Sequence, residues 1–199
     1  MRYFITILVI FLFLGCTTPI PPKSEYRLHI NLKNIDLPKA TRCKDKSLKV
    51  AQAFSLSSLM SHDMSYGLGD SKQFIYSKSQ WSSSPNRAIT SEFLKQLRAS
   101  NLFKSVQISK SRSKNDFILE INIEDFMQYF NQDLSKSITK VSISLTLINS
   151  KTNKVFATKT FNSNLDTKTL NAMGGVEGLS KGLSEVLLKS TIWIAEVCR

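Results

Sequence analysis

Polar and apolar residues alternate most regularly in the second half of the chain. In "DFILEINIEDF", Phe117, Leu119, Ile121 and Ile123 share one face, and Glu120, Asn122 and Glu124 share the other. In "TKVSISLTLIN", Val141, Ile143, Leu145 and Leu147 alternate with Ser142, Ser144 and Thr146. A period of two is that of a strand with one packed and one polar face, the habit of antiparallel sheets. "KVFATKTFN" then closes a hairpin across "SKTNK". Earlier, "YRLHINLKN" places Tyr26, Leu28, Ile30 and Leu32 on one face and predicts a half-buried strand. "SLKVAQAFS", carrying Leu48, Val50 and Phe54, and the short "FKSVQIS" predict two more. Between them, "LSSLMSHDMSYGLGDSKQFIYSKSQW" reads as two extended pieces joined by a turn near Gly67 and Gly69 and ending at Tyr76 and Trp81.

Two segments carry the helical period instead. In "SSPNRAITSEFLKQLRASNLF", Ser84 can cap, Pro85 suits the first turn, and Ile89, Phe93, Leu94 and Leu97 form a stripe. In "LSKGLSEVLLKSTIWIAEV" the stripe is Leu179, Leu183, Val186, Leu187 and Ile194, and Gly174 and Gly175 before it predict a bend. The pattern predicts the α+β class: a single domain with a mostly antiparallel sheet and two main helices packed on one face.

The N-terminus follows different rules. From Tyr3 to Leu14 the chain is uncharged and apolar. A membrane span needs about 20 such residues, so the run is short for one and fits the apolar core of an export signal, with Arg2 as its positive flank. It ends in "LGC", and Gly15–Cys16 resembles the lipobox of bacterial lipoproteins, although Phe13 stands where leucine is usual. That resemblance implies a signal peptide over residues 1–15 and an acyl anchor, palmitate among its chains, on Cys16. "TTPIPPKSE" follows, and its prolines stiffen residues 16–25 into a tether of about 3.1 Å per residue. A periplasmic α+β domain over residues 26–199 is then expected, and Thr17 after the cysteine favours the outer membrane by the lipoprotein sorting pattern. An uncleaved anchor or a plain signal peptide are the other readings of the same run.

Composition adds little chemistry. The 199 residues carry a formal charge of +12, but the lysines and arginines are scattered in "KATRCKDKSLK", "SKSRSKND" and "NSKTNK". Nucleic-acid binding needs a clustered patch, so no nucleic acid is expected; the scattered charge reads as a soluble basic surface, and its functional version is contact with anionic headgroups or an acidic partner. With Cys16 spent on lipid, Cys43 and Cys198 remain as an even pair in a compartment that permits disulfides. A bond between them is expected, two separate buried thiols being the alternative. His29 and His62 are the only histidines and no CxxC occurs, so neither a metal nor another cofactor is expected.

No catalytic constellation is evident, and no enzyme activity is expected. "GDS" at Gly69, Asp70 and Ser71 opens the nucleophile motif of one esterase family, but no histidine follows Ser71 to act as base. His62 and Asp63 are adjacent, and adjacent side chains diverge on most backbones.

The order of aromatic and turn residues carries a broader resemblance. Tyr66, Tyr76, Trp81 and Pro85 precede a helix, the step Asn101, Phe103 and Val106 ends it, and Asp116, Leu119 and Ile123 mark the next strand. From Ser47 to Val197 this order resembles the ABC-type transport auxiliary lipoproteins, including the paraquat-inducible protein C type. The family's proline-rich turn is missing, and "FSLSSLMSH" stands in its place. The resemblance implies an outer-membrane-anchored periplasmic lipoprotein of a Gram-negative envelope. It would serve a lipid transport system made of an ATPase, a permease and an MCE-domain protein, and it would act by docking on the MCE-domain partner. Tyr66, Tyr76 and Trp81 are then candidates to face that partner, core packing being the other reading. An envelope assembly or cell-wall regulator that binds a periplasmic enzyme is the alternative function. A stand-alone lipid carrier is a third, and a homo-oligomer is compatible with all of them.

Overall fold

The computed structural model describes residues 22–31, 37, 42–69 and 71–199. The signal peptide, Cys16 and Asp70 lie outside the described residues. Among the described residues, nine strands and two α-helices follow in order: β1 (Ser24–Tyr26), β2 (Ser47–Val50), β3 (Phe54–Ser55), β4 (Asp63–Leu68), β5 (Lys72–Trp81), α1 (Pro85–Ala99), β6 (Ser105–Ile108), β7 (Phe117–Phe130), β8 (Ser137–Asn149), β9 (Lys154–Asp166) and α2 (Ala172–Val197). All nine strands belong to one sheet, so the α+β class holds.

β7 is the spine of that sheet. Along one edge it pairs antiparallel with β8 over the whole length, and β8 pairs antiparallel with β9. Along its other edge it takes β2, β3 and β4 in turn, each parallel: Val50 lies opposite Leu119, Ser55 opposite Ile123, and Leu68 opposite Phe130. Residues Ser47–Leu68 are therefore one long strand, interrupted by an excursion that contains a 3-10 turn at Ser57–Leu59. β6 extends the sheet beside β2, β5 folds back on β4, and β1 lines β5. The long ladders are antiparallel, as the alternation suggests, and the parallel pairings are short.

Both helices cover one face. α1 buries Ile89, Phe93 and Leu97 as its stripe requires. Pro85 opens it, but the Ser84 hydroxyl makes no capping bond; the Ser84 carbonyl accepts from Arg87 and Ala88 instead. α2 begins before its predicted bend. Gly174 and Gly175 are helical, and their small size serves contact rather than bending. A Cβ on Gly175 would lie 2.3 Å from Gln128 Oε1, one on Gly178 2.6 Å from Thr139 Oγ1, and one on Gly182 2.9 Å from Val141 Cγ2. The glycine face thus lets the helix backbone settle onto β7 and β8. Farther along, Trp193 meets Phe161 of β9 edge to face at 5.7 Å.

Between helices and sheet, Leu119, Ile143, Leu145, Leu147, Leu183 and Leu187 are fully buried, each contributing about 1.5–3 kcal/mol relative to exposure. The opposite face is polar: Ser142 and Ser144 donate to Glu124, and Thr146 meets Thr158 at 3.1 Å. "YRLHINLKN" differs from its prediction. Tyr26, Leu28 and Ile30 do pack on the core, but pairing stops at Tyr26. Beyond it the His29 N–H donates to Ser180 Oγ at 3.1 Å, so residues 27–31 lie across α2 rather than in the sheet, and Leu32 lies outside the described residues. Cys43 and Cys198 are bonded, with Cα atoms 5.3 Å apart, and the adjacent Arg42 N–H donates to the Cys198 carbonyl at 2.9 Å.

Candidate functional site

The β4–β5 hairpin gathers an aromatic cluster at one end of the sheet. Its turn needs Gly69, which sits at φ +60° in the left-handed region. The register places Tyr66 opposite Phe74 and, on the other side, opposite Gln128. Tyr66 stacks on Phe74 at 5.6 Å, tilts against Tyr76 at 4.5 Å, and receives the edge of Phe130 at 5.5 Å. Such pairs contribute roughly 0.5–1.5 kcal/mol each beyond area burial.

A polar chain supports the cluster from beneath. Tyr76 Oη donates to Gln128 Oε1 at 2.9 Å, and Gln128 Nε2 donates to Ser137 Oγ at 2.8 Å. Ser137 Oγ in turn meets Thr167 Oγ1. Gln128 is buried beneath Gly175, so its amide is fixed from both sides. Burial raises the Tyr76 pKa well above the ordinary tyrosine value, and Tyr66 beside it adds to the shift. The hydroxyl stays neutral at any physiological pH, so it orients and does not ionise. The arrangement offers flat aromatic area and hydrogen bonds, not a nucleophile or base.

Tyr66 and Tyr76 are brought together and remain half-buried. Trp81 is not part of this surface. It is 4% exposed, packs near Phe126 at 6.2 Å, and bonds through its backbone to His62. That burial makes it a core residue and corrects its candidacy for partner contact. Phe74, 43% exposed, takes the place that the sequence suggests for Trp81. Its position on the same face as Tyr66 is readable only once the hairpin register is known.

The other candidates behave plainly. His62 Nδ1 donates to the Trp81 carbonyl at 2.9 Å, while Asp63 faces Ser61 and Lys23, so the two form no dyad. Ser71 is exposed in the hairpin turn. Among the described residues no group of three or more His, Cys, Asp or Glu side chains is placed to hold a metal ion, and no helix is long and apolar enough to cross a membrane. Among the described residues, Asp125 on the polar face is a carboxylate whose pKa is raised rather than lowered. Burial raises its pKa despite both oxygens accepting from Tyr129 Oη, at 2.9 and 3.0 Å, and despite Lys140 nearby.

No protein-family model matches the chain. No curated protein matches it either. Solved structures do. The protein XCC0632 from Xanthomonas campestris, of the DUF330 family, is similar with a TM-score of 0.78 at 14% identity, over 87% of this chain and 95% of that one. An uncharacterised protein is similar with a TM-score of 0.66 at 16% identity, over 87% of this chain and 99% of its own. A minor lipoprotein from Acinetobacter baumannii aligns only at 0.43 and 10% identity, over 76% and 93% of the two chains, which carries no argument. At these identities the first two likenesses establish one thing, that this chain shares the fold of XCC0632.

Proposed function

We propose that this chain is a lipid-anchored envelope protein that works by docking, as the auxiliary lipoprotein of an ABC and MCE-type lipid transport system. The observation that carries the reading is the aromatic face of the β4–β5 hairpin. Phe74 offers exposed ring area, stacked on half-buried Tyr66, on a rigid strand pair, and the Tyr76–Gln128–Ser137 chain holds that area in place. Aromatic residues on a firm scaffold are the usual anchors of protein interfaces. The export signal and Gly15–Cys16 supply the anchor, and the resemblance supplies the partner class and the outer-membrane location. The chain contributes binding and position, and the ATPase and permease supply the work. The test is co-purification from detergent-solubilised membranes of cells that carry an MCE-domain gene beside this one. The MCE-domain protein is expected with the tagged chain, and its consistent absence, with the tagged chain recovered and intact, rejects the reading.

A further inference from the structure

The excursion that interrupts the Ser47–Leu68 strand has no role in the fold that accounts for its surface. The outward side chains here are Phe54 of β3 and, beyond it, Leu56 and Met60, exposed by 69%, 71% and 51%. From residue 51 to residue 61 the sequence "AQAFSLSSLMS" holds no charged side chain, in a chain where charged residues make up 21%. Exposed apolar groups in an uncharged stretch mark a contact surface. The base of the excursion is firm: Leu59 packs on the core, the Asp63 N–H donates to Ser61 Oγ at 3.1 Å, and the His62 carbonyl accepts from Trp81 N–H at 2.8 Å.

The position of β1 says what covers it. β1 lies against Ser79–Trp81, and Lys23, just before β1, comes within 4.0 Å of Asp63, the residue that closes the excursion. The chain from Cys16 therefore arrives at the foot of this loop. The segment from Cys16 to Pro22 can span no more than about 21 Å even fully extended. An acyl group on Cys16 would thus hold the loop close to the bilayer. The positive balance that the chain keeps after residue 15 favours anionic headgroups, with Lys23 beside the loop.

We propose that the excursion is a membrane-contacting loop, with Phe54, Leu56 and Met60 seated in the phospholipid surface that holds the acyl chains. The proposal rests on the lipid-anchor reading of Cys16. It makes the anchor and the loop a two-point attachment, which fixes the orientation of the domain where a single tether would let it tumble. Serines 55, 57 and 58 between the apolar residues add no charge of their own to the interface, and the neighbouring carboxylate is Glu120, which lines the same shallow hollow as Phe54.

The test uses the mature lipidated chain in vesicles of phosphatidylethanolamine and phosphatidylglycerol. With Cys16 acylated and Cys43 bonded to Cys198, Leu56→Cys supplies one reactive thiol for a polarity-sensitive fluorophore. Val155→Cys, at an exposed position on β9 across the sheet, is the comparison. The label at position 56 is expected to shift to the blue and to be quenched by spin-labelled lipid several-fold more than the label at position 155. A label at position 56 that reports water overturns the loop contact, whether or not the protein floats with the vesicles. Emission that shifts only after a second protein is added overturns it as well. Flotation of the unlabelled protein separately tests the acyl anchor.

Discussion

Removing the disulfide should cost a large part of the stability of this domain. Cys43 lies between β1 and β2 and Cys198 caps the last helix, 155 residues apart. In the chain-entropy account, closing a loop of that length stabilises by about 5 kcal/mol at 25 °C. Domains of this size commonly have a total of about 5–15 kcal/mol, so the bond supplies a third of it or more. The double variant Cys43→Ala with Cys198→Ala leaves no buried thiol or hydroxyl at two sites that are fully enclosed. Urea unfolding of the variant, of oxidised wild type and of reduced wild type separates the cross-link from the side chains. The expected loss is about 5 kcal/mol for both altered forms, with a fall in Tm of about 10–20 °C at the usual 2–4 °C per kcal/mol for this size. A loss below about 1 kcal/mol would refute the reasoning, because it would mean that the unfolded chain keeps the two ends together without the bond.

Three further outcomes follow from particular contacts. Gly178→Val places branched atoms where even a Cβ lies 2.6 Å from Thr139 Oγ1, and should destabilise by about 1–3 kcal/mol, read as the urea midpoint. Tyr76→Phe leaves Gln128 Oε1 buried without its donor and should lower stability by about 1–3 kcal/mol while the far-ultraviolet spectrum stays unchanged. Asp125 has a folded pKa raised above its ordinary 3.8, so between that value and the raised one the folded state binds more protons than the unfolded state. Its contribution to stability therefore falls as pH rises through that window, and Asp125→Asn should remove that part of the slope in midpoints measured across acidic pH. An unchanged slope in the variant would count against the burial of this carboxylate.

The strands β7 and β8 were legible because alternation reports which side chains face the core, and Ile121, Ile143 and Leu145 obey it. Alternation says nothing about neighbours. The parallel run of Ser47–Leu68 beside β7 depends on contacts made far along the chain, so its short pieces read as separate strands. The same limit hid the aromatic site: Tyr66, Phe74, Tyr76 and Phe130 converge only through the hairpin register and the β4–β7 pairing. Trp81 looked like an anchor by residue type, and only its packing near Phe126 shows otherwise. Gly174 and Gly175 read as a bend because glycine weakens helices, yet here the missing side chains admit the sheet. The cysteine pair was legible by counting, which needs no geometry.

The docking claim is tested most directly at Phe74, the exposed ring of the aromatic face. A benzophenone-bearing phenylalanine analogue at position 74, irradiated in living cells that carry an MCE-domain gene beside this one, captures whatever touches that ring. The account predicts an adduct that contains the MCE-domain protein, reduced when Tyr66→Ala removes the stacked partner. Irradiation that yields no such adduct, from a chain that is exported, folded and disulfide-bonded, would contradict it.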